Sequence, residues 1–327
     1  MKKVLAVILA LAMILAFAAC GDKKTEEPAA EPAAEPKTVG YVTISGSAPW
    51  GALIGTTLEK ICKDAGWDWK YLDAETNADK VNEHVQTLID AGVDAIVVFG
   101  GVPAANSDNA KKASEAGIPM FMAGLDVSEE GRQYVAACVG PDQQQCFVEY
   151  ADFVIEQEGG AEAGLKVAQI SGVPFLDDYI MREAGFRSEM EAKSNYDISL
   201  ETQYAFSSRA DAKTFMEQYI QQYGEGINIL MGYDDDLTMG AVQAIEEAGL
   251  TGKIHVYSFT GQNDAIQAVA DGKMQCTIVN RAADIAEELK VAMDEYFETG
   301  KTEYYHYTPL TYVTSENVKE WIGKGEF

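Results

Sequence analysis

The chain has 327 residues, and its 52 acidic against 25 basic side chains give a formal charge of -27. Such a surface repels nucleic acid and anionic lipid head groups, which excludes a nucleic-acid partner and favours a neutral or cationic ligand. The cysteines form no Cys-x-x-Cys pair and none stands beside a histidine, so neither a zinc site nor a cofactor is expected.

The chain opens "MKKVLAVILALAMILAFAAC", two lysines before an apolar run that is too short to span a bilayer and ends in small residues. Residues 1–20 therefore read as an export signal rather than a transmembrane helix. The ending "FAAC" resembles a lipobox, in which Cys20 is lipidated and becomes the new N-terminus; ordinary secretion is the alternative. Loss of Lys2 and Lys3 with the signal leaves a charge of about -29. Residues 21–37, "GDKKTEEPAAEPAAEPK", repeat Glu, Pro and Ala and read as an extended, solvated tether. The remainder is expected to stand outside the cytoplasm, held to the outer face of the cell membrane by lipid. It is long enough for two ordinary domains or one large one.

From Thr38 onward strand and helix alternate. Eight short apolar runs read as buried strands: "TVGYVTIS", "DAIVVFG", "IPMFMAG", "YVAACVG", "LKVAQISG", "INILMG", "KIHVYSF" and "MQCTIVN". Amphipathic segments lie between them; in "ADKVNEHVQTLIDAG" the residues Val81, Val85, Leu88 and Ile89 recur at helical spacing. Four helices end in Ala-Gly, at Gly66, Gly92, Gly117 and Gly249, where a left-handed glycine can close the helix. Alternation of this kind predicts an α/β fold of doubly wound parallel sheet in two similar halves. In such sheets ligands bind at the loops following the carboxyl ends of the strands. Trp50, in "YVTISGSAPWGALIG", stands after the first strand on that edge. It either packs the first helix onto the sheet or offers a flat face to a sugar or another ring. Cys138 and Cys146 are close enough in sequence to be bridged; small buried thiols are the other reading of Cys62, Cys138, Cys146 and Cys276.

Several stretches together resemble the type 1 periplasmic binding proteins, in particular the ribose-binding-like branch that serves ABC transporters. They are "GYVTISGSAPWGALIGTTLEKICKDAG", "GVDAIVVFGGVPAANSDNAKKASEAGIPMFMAGLDV", "MREAGFRSEM", "INILMGYDDDLTMGAVQAIEEAG" and "KIHVYSFTGQNDAIQAVADGKMQCTIVN". The resemblance implies two lobes joined by a three-crossing hinge, with the ligand enclosed between them. By that pattern residues 37–140 plus 281–309 form the N-terminal lobe, and residues 141–280 plus 310–327 the C-terminal lobe.

The resemblance also implies ligand-binding residues. Arg182 stands at the arginine of an Arg-x-x-Gly-Phe pattern; a helix-surface ion pair with Glu183 or Glu189 is the alternative. Asp234 falls where the family has a sugar-binding asparagine, although one of Asp234, Asp235 and Asp236 should cap the following helix. The three lack the spacing of a calcium loop. Asn280 ends a strand where relatives face the ligand, and could equally be a structural turn. Phe206 or Ser207 lies near the family's aromatic, with core packing as the alternative for Phe206.

Other positions depart from the pattern of ribose-binding proteins. Ala48 replaces an asparagine before the first proline, and Gly124 and Leu125 replace an Asp-Arg pair, with Asp126 one step later. Thr260 replaces an aspartate, and Gln262 follows it. Lost hydrogen-bonding positions argue against ribose itself and for another sugar, polyol or small polar ring.

These features imply a monomeric substrate-binding lipoprotein that delivers a small solute to the transmembrane subunits of an ABC permease. A ligand-presenting module for a membrane sensor or chemoreceptor is the alternative. An enzyme is not expected, since there is no Gly-x-Ser-x-Gly elbow, no phosphate loop, and His84, His255 and His306 are isolated. An export signal where a repressor carries its DNA-binding helices excludes that role.

Overall fold

The computed structural model describes residues 36–47, 49–174, 176–206 and 208–325. The signal, Cys20 and the tether as far as Glu35 lie outside the described residues, as do Ala48 and Ser207.

The first half runs β1 (Thr38–Thr43), α1 (Pro49–Asp64), β2 (Asp68–Asp73), α2 (Ala78–Asp90), β3 (Ala95–Phe99), α3 (Pro103–Glu115), β4 (Met120–Ala123) and β5 (Ala137–Gly140). The second runs α4 (Gln145–Gln157), β6 (Val167–Ser171), α5 (Asp177–Lys193), β7 (Gln203–Tyr204), α6 (Arg209–Tyr223), β8 (Ile229–Gly232), α7 (Asp235–Glu247), β9 (His255–Thr260), α8 (Asn263–Ala270) and β10 (Cys276–Asn280). The chain closes with α9 (Ala282–Thr299), β11 (Tyr305–Tyr307), β12 (Leu310–Thr314) and the short α10 (Val318–Trp321).

Helix α2 illustrates how local chemistry sets these limits. The Asn77 side chain accepts from the N–H groups of Asp79 and Lys80 at its start, and Val81, Val85 and Leu88 make its buried face. Gly92, past its end, has φ +63°, and the three equivalent glycines 66, 117 and 249 have φ of +76°, +74° and +68°. Each takes the left-handed conformation its sequence context called for.

The strands form two sheets of six. In the first the order is β11-β5-β4-β3-β1-β2, all parallel; in the second it is β12-β10-β9-β8-β6-β7, with only β12 antiparallel to its neighbour. Strand residues are buried on both faces. On the first sheet Val39, Tyr41, Val97 and Phe121 pack with α1 and α9 on one side. Val42, Ile96, Val98 and Met122 pack with α2 and α3 on the other. The second sheet repeats this, with Ile170, Leu230 and Val256 against α6, α7 and α8, and Ile229, Met231 and Tyr257 against α4 and α5. Burying both faces explains why these strands read as continuous apolar runs.

The fold is thus a two-lobe α/β arrangement, each lobe a sheet with its helices. The chain passes between the sheets three times: from β5 to α4, from β10 to α9, and from β11 to β12. Cys62, Cys138, Cys146 and Cys276 are all free and buried. Burial pushes the thiols of Cys62, Cys146 and Cys276 up to about 12, so they behave as small apolar side chains.

Candidate functional site

The carboxyl ends of strands from both sheets converge on a cavity of about 770 Å³, a volume typical of small-molecule sites. Its two walls differ in chemistry.

The first lobe supplies Trp50, Phe99, Gly124, Leu125 and Ile285. Trp50 lies in the first turn of α1 rather than in a loop, because the helix already begins at Pro49. Its ring is half-buried, packed against the apolar cluster beneath α1 and also facing the cavity. The packing and cavity-wall roles therefore coexist.

The second lobe supplies the polar wall. Arg182, on α5, is 6% exposed. Its Nε donates to Gln143 Oε1 at 2.8 Å and its Nη1 to the Tyr233 carbonyl at 3.1 Å. Nη2 lies 3.5 Å from the Asp178 carboxylate, and the guanidinium sits over the rings of Tyr179 and Phe259. Neither Glu183 nor Glu189 is its partner: Glu183 accepts from the hydroxyls of Thr202 and Tyr204, and Glu189 pairs with Lys193. The glycine of the Arg-x-x-Gly-Phe pattern has a steric reason. A Cβ on Gly185 would lie 2.2 Å from the carbonyl oxygen of Gln144, so only glycine lets α5 approach the start of α4. Phe186 is fully buried in the core cluster to which both helices contribute.

The three consecutive aspartates divide the work at the start of α7. Asp234 caps the helix by accepting from the N–H of Asp236 at 2.8 Å, and it also lines the cavity. Burial pushes its carboxyl up to about 6, with Arg182 opposing the shift. Asp235 points inward, fully buried, and Oδ2 accepts from the N–H groups of Gly261 and Gln262 at 2.7 and 2.8 Å. The Thr277 hydroxyl donates to it at 2.8 Å, so Asp235 fixes the loop after β9. Burial pushes this carboxyl up to about 7 against the pull of those donors. Asp236 takes Arg209 Nε at 2.6 Å, and the same guanidinium reaches Asp264 at 2.8 Å.

The loop that Asp235 holds carries Thr260, Gln262, Asn263 and Asp264 into the cavity. Thr260 has φ +116°, a conformation costly for a β-branched residue. Asn280, at the end of β10, is 4% exposed. Among the described residues nine buried side-chain polar atoms lack a protein partner, and four of them belong to this cavity: Asp178 Oδ1, Thr260 Oγ1, Asp264 Oδ1 and Asn280 Oδ1. Leaving a buried acceptor unpaired costs about 1–3 kcal/mol. The other five belong to residues outside this lining, so unpartnered buried oxygens are concentrated among the cavity residues.

Of the residues expected from sequence, Trp50, Arg182, Asp234, Thr260, Gln262 and Asn280 share this cavity. Asp126 does not line it. Its carboxylate accepts from the hydroxyls of Tyr304 and Tyr305 and from Arg132 Nε at 2.9 Å, while its neighbour Leu125 faces the cavity. Phe206 is also absent from the lining; it is 58% exposed at a turn with φ +46°. Gln143, Asp178, Arg209 and Asp264 were not anticipated. Asp178 is four residues before Arg182 on one helix, a spacing that could have revealed it; Gln143 carries no such signal.

The description "periplasmic binding protein domain" matches residues 39–302. The chain belongs to that family. This periplasmic binding protein is 27% identical over 306 residues to the fructose import binding protein of Bifidobacterium longum, covering 92% of this chain and 90% of that one. It is 26% identical over 319 residues to the ribose import binding protein of Bacillus subtilis, covering 97% and 100%. The binding-protein component of the arabinose ABC transporter from Shewanella sp. ANA-3, solved with L-arabinofuranose, shares its fold with a TM-score of 0.78 at 24% identity, covering 88% and 95%. These relatives are binding proteins rather than enzymes, and the chain is a substrate-binding protein of the ribose-binding-like kind.

Proposed function

We propose that the protein captures a small polyhydroxylated solute, a sugar or polyol, between its lobes and delivers it to the transmembrane subunits of an ABC importer. The observation that carries this reading is the polar set Asp178, Thr260, Asp264 and Asn280, each with a buried oxygen lacking a protein partner, in one cavity with the indole of Trp50. Hydroxyl groups supply donors to such acceptors, and the C–H face of a sugar ring packs on an indole. Asp234, Gln262 and Arg182 stand beside them as further polar contacts. Relatives named for fructose and ribose import agree with a sugar as the cargo.

A solute touching both lobes stabilises the closed arrangement about the three crossings. The protein acts as a monomer on the outer face of the cell membrane, anchored by lipid on Cys20 and held off the surface by the tether of residues 21–37. Thermal unfolding against pentoses, hexoses and polyols tests the proposal. A solute at about a hundred times its dissociation constant stabilises the folded state by roughly 2.7 kcal/mol, a shift of several degrees. An unchanged melting temperature across the panel contradicts a sugar or polyol cargo.

A further inference from the structure

The two walls of the cavity impose different demands on whatever fills it. On the first lobe Trp50, Phe99, Leu125 and the fully buried Ile285 line the cavity, and beyond the single indole N–H none of these side chains carries a polar atom. On the second lobe Asp178, Thr260, Asp264 and Asn280 line the cavity, and each carries a buried oxygen without a protein partner. The two guanidiniums there are already engaged: Arg182 by Gln143, the Tyr233 carbonyl and Asp178, and Arg209 by Asp236 and Asp264. The lining amides of Gln143, Gln262 and Asn280 can donate as well as accept, and the acidic residues disfavour an anionic solute.

A bare sugar or polyol bears hydroxyls around its whole edge. Set in this cavity, those on the first-lobe side would lose water without gaining a side-chain partner, at a cost for each. The volume of about 770 Å³ is of the size that takes drug-sized ligands. We infer that the solute is two-faced: a hydroxyl-rich head bonded to the second lobe, joined to an apolar substituent of several carbons lying on Phe99 and Leu125. Chemically this is a glycoside or polyol ether with an apolar aglycone. The inference rests on the reading of the cavity as a polyol site and narrows it.

The test is calorimetric titration of the full chain in detergent. Its probes are free D-glucose, D-galactose and L-arabinose, and the methyl, n-propyl and phenyl glycosides of each. Each methylene buried on the first-lobe wall is worth roughly three- to fourfold in affinity. For at least one sugar, the propyl glycoside should bind about tenfold more tightly than the methyl glycoside, with the phenyl glycoside at least as tight. Leu125→Asn should flatten that series. If the variant does not fold, the slope measured on the unaltered protein decides. A free sugar that binds while its glycosides bind no better, or are excluded, overturns the two-faced solute and leaves sugar capture standing. Failure of every free sugar and every glycoside to bind overturns both.

Discussion

Replacing Asp235 by alanine and by asparagine separates the two roles a buried carboxylate can play. In the folded protein its Oδ2 accepts from the Gly261 and Gln262 N–H groups at 2.7 and 2.8 Å, and Thr277 donates to it at 2.8 Å. Alanine leaves both backbone donors buried and unpaired, at about 1–3 kcal/mol each. A total of roughly 3 kcal/mol lowers the melting temperature by about 6–12 °C at the 2–4 °C per kcal/mol of a chain this size. Asparagine keeps the shape of the protonated carboxyl: its oxygen can face the two N–H groups while its amide donates to Thr277, so the loss near pH 4 should stay within about 1 kcal/mol.

The two proteins should also differ in pH dependence. Burial raises the Asp235 carboxyl to about 7, against about 3.9 in an unfolded chain. Between those values the folded state holds more protons than the unfolded one, so stability falls as pH rises from about 4 to 7 and is level above that. The full span is on the order of 4 kcal/mol. Asp234 shifts in the same direction, to about 6, but is present in both proteins and largely cancels in the comparison. Urea unfolding from pH 4 to pH 8 measures the difference. Relative to Asp235→Asn, the unaltered protein should lose stability across that window. A flat or rising difference refutes the argument, and so does an alanine variant as stable as the asparagine one.

Three further substitutions bear on the framework. Arg182→Lys removes the planar fork that reaches Gln143, Tyr233 and Asp178 together; it should cost about 2–3 kcal/mol in thermal unfolding and weaken solute binding at least tenfold. Gly185→Ala gains about 1 kcal/mol of helix propensity, but its Cβ would meet the Gln144 carbonyl at 2.2 Å. A net loss of about 1–3 kcal/mol is expected in urea unfolding, and a variant more stable than the parent contradicts the close packing of α4 and α5. Asp126→Asn should lower stability by about 1–2 kcal/mol through its Arg132 and tyrosine partners. Solute affinity should stay within about twofold, since the residue lies outside the cavity; a tenfold loss in calorimetry reverses that placement.

The central strands were legible in the sequence, and the edges were not. The eight apolar runs correspond to β1, β3, β4, β5, β6, β8, β9 and β10, whereas β2, β7, β11 and β12 are the four edge strands of the two sheets. An edge strand is less enclosed by neighbours, so it loses the continuous apolar signature. β2 reads "DWKYLD" and is half-exposed, and β7 is two residues long. At the cavity, residue type and strand-end position indicated Trp50, Arg182 and Asn280, but not the partners that orient them. Composition could not say which of Asp234, Asp235 and Asp236 caps, which props a loop and which pairs with Arg209. Nor could it say that Leu125 turns into the cavity and Asp126 away, because one residue of register reverses the direction of a side chain.

The most direct measurement is a calorimetric titration of the best-stabilising sugar or polyol into the unaltered protein and into Trp50→Ala. One-to-one binding to the unaltered protein is expected, weakened at least tenfold, about 1.4 kcal/mol, by loss of the indole face. The unliganded melting temperature should move by only a few degrees. Equal affinities in the two proteins, or no heat of binding with any sugar or polyol, would contradict a solute held between Trp50 and the second lobe.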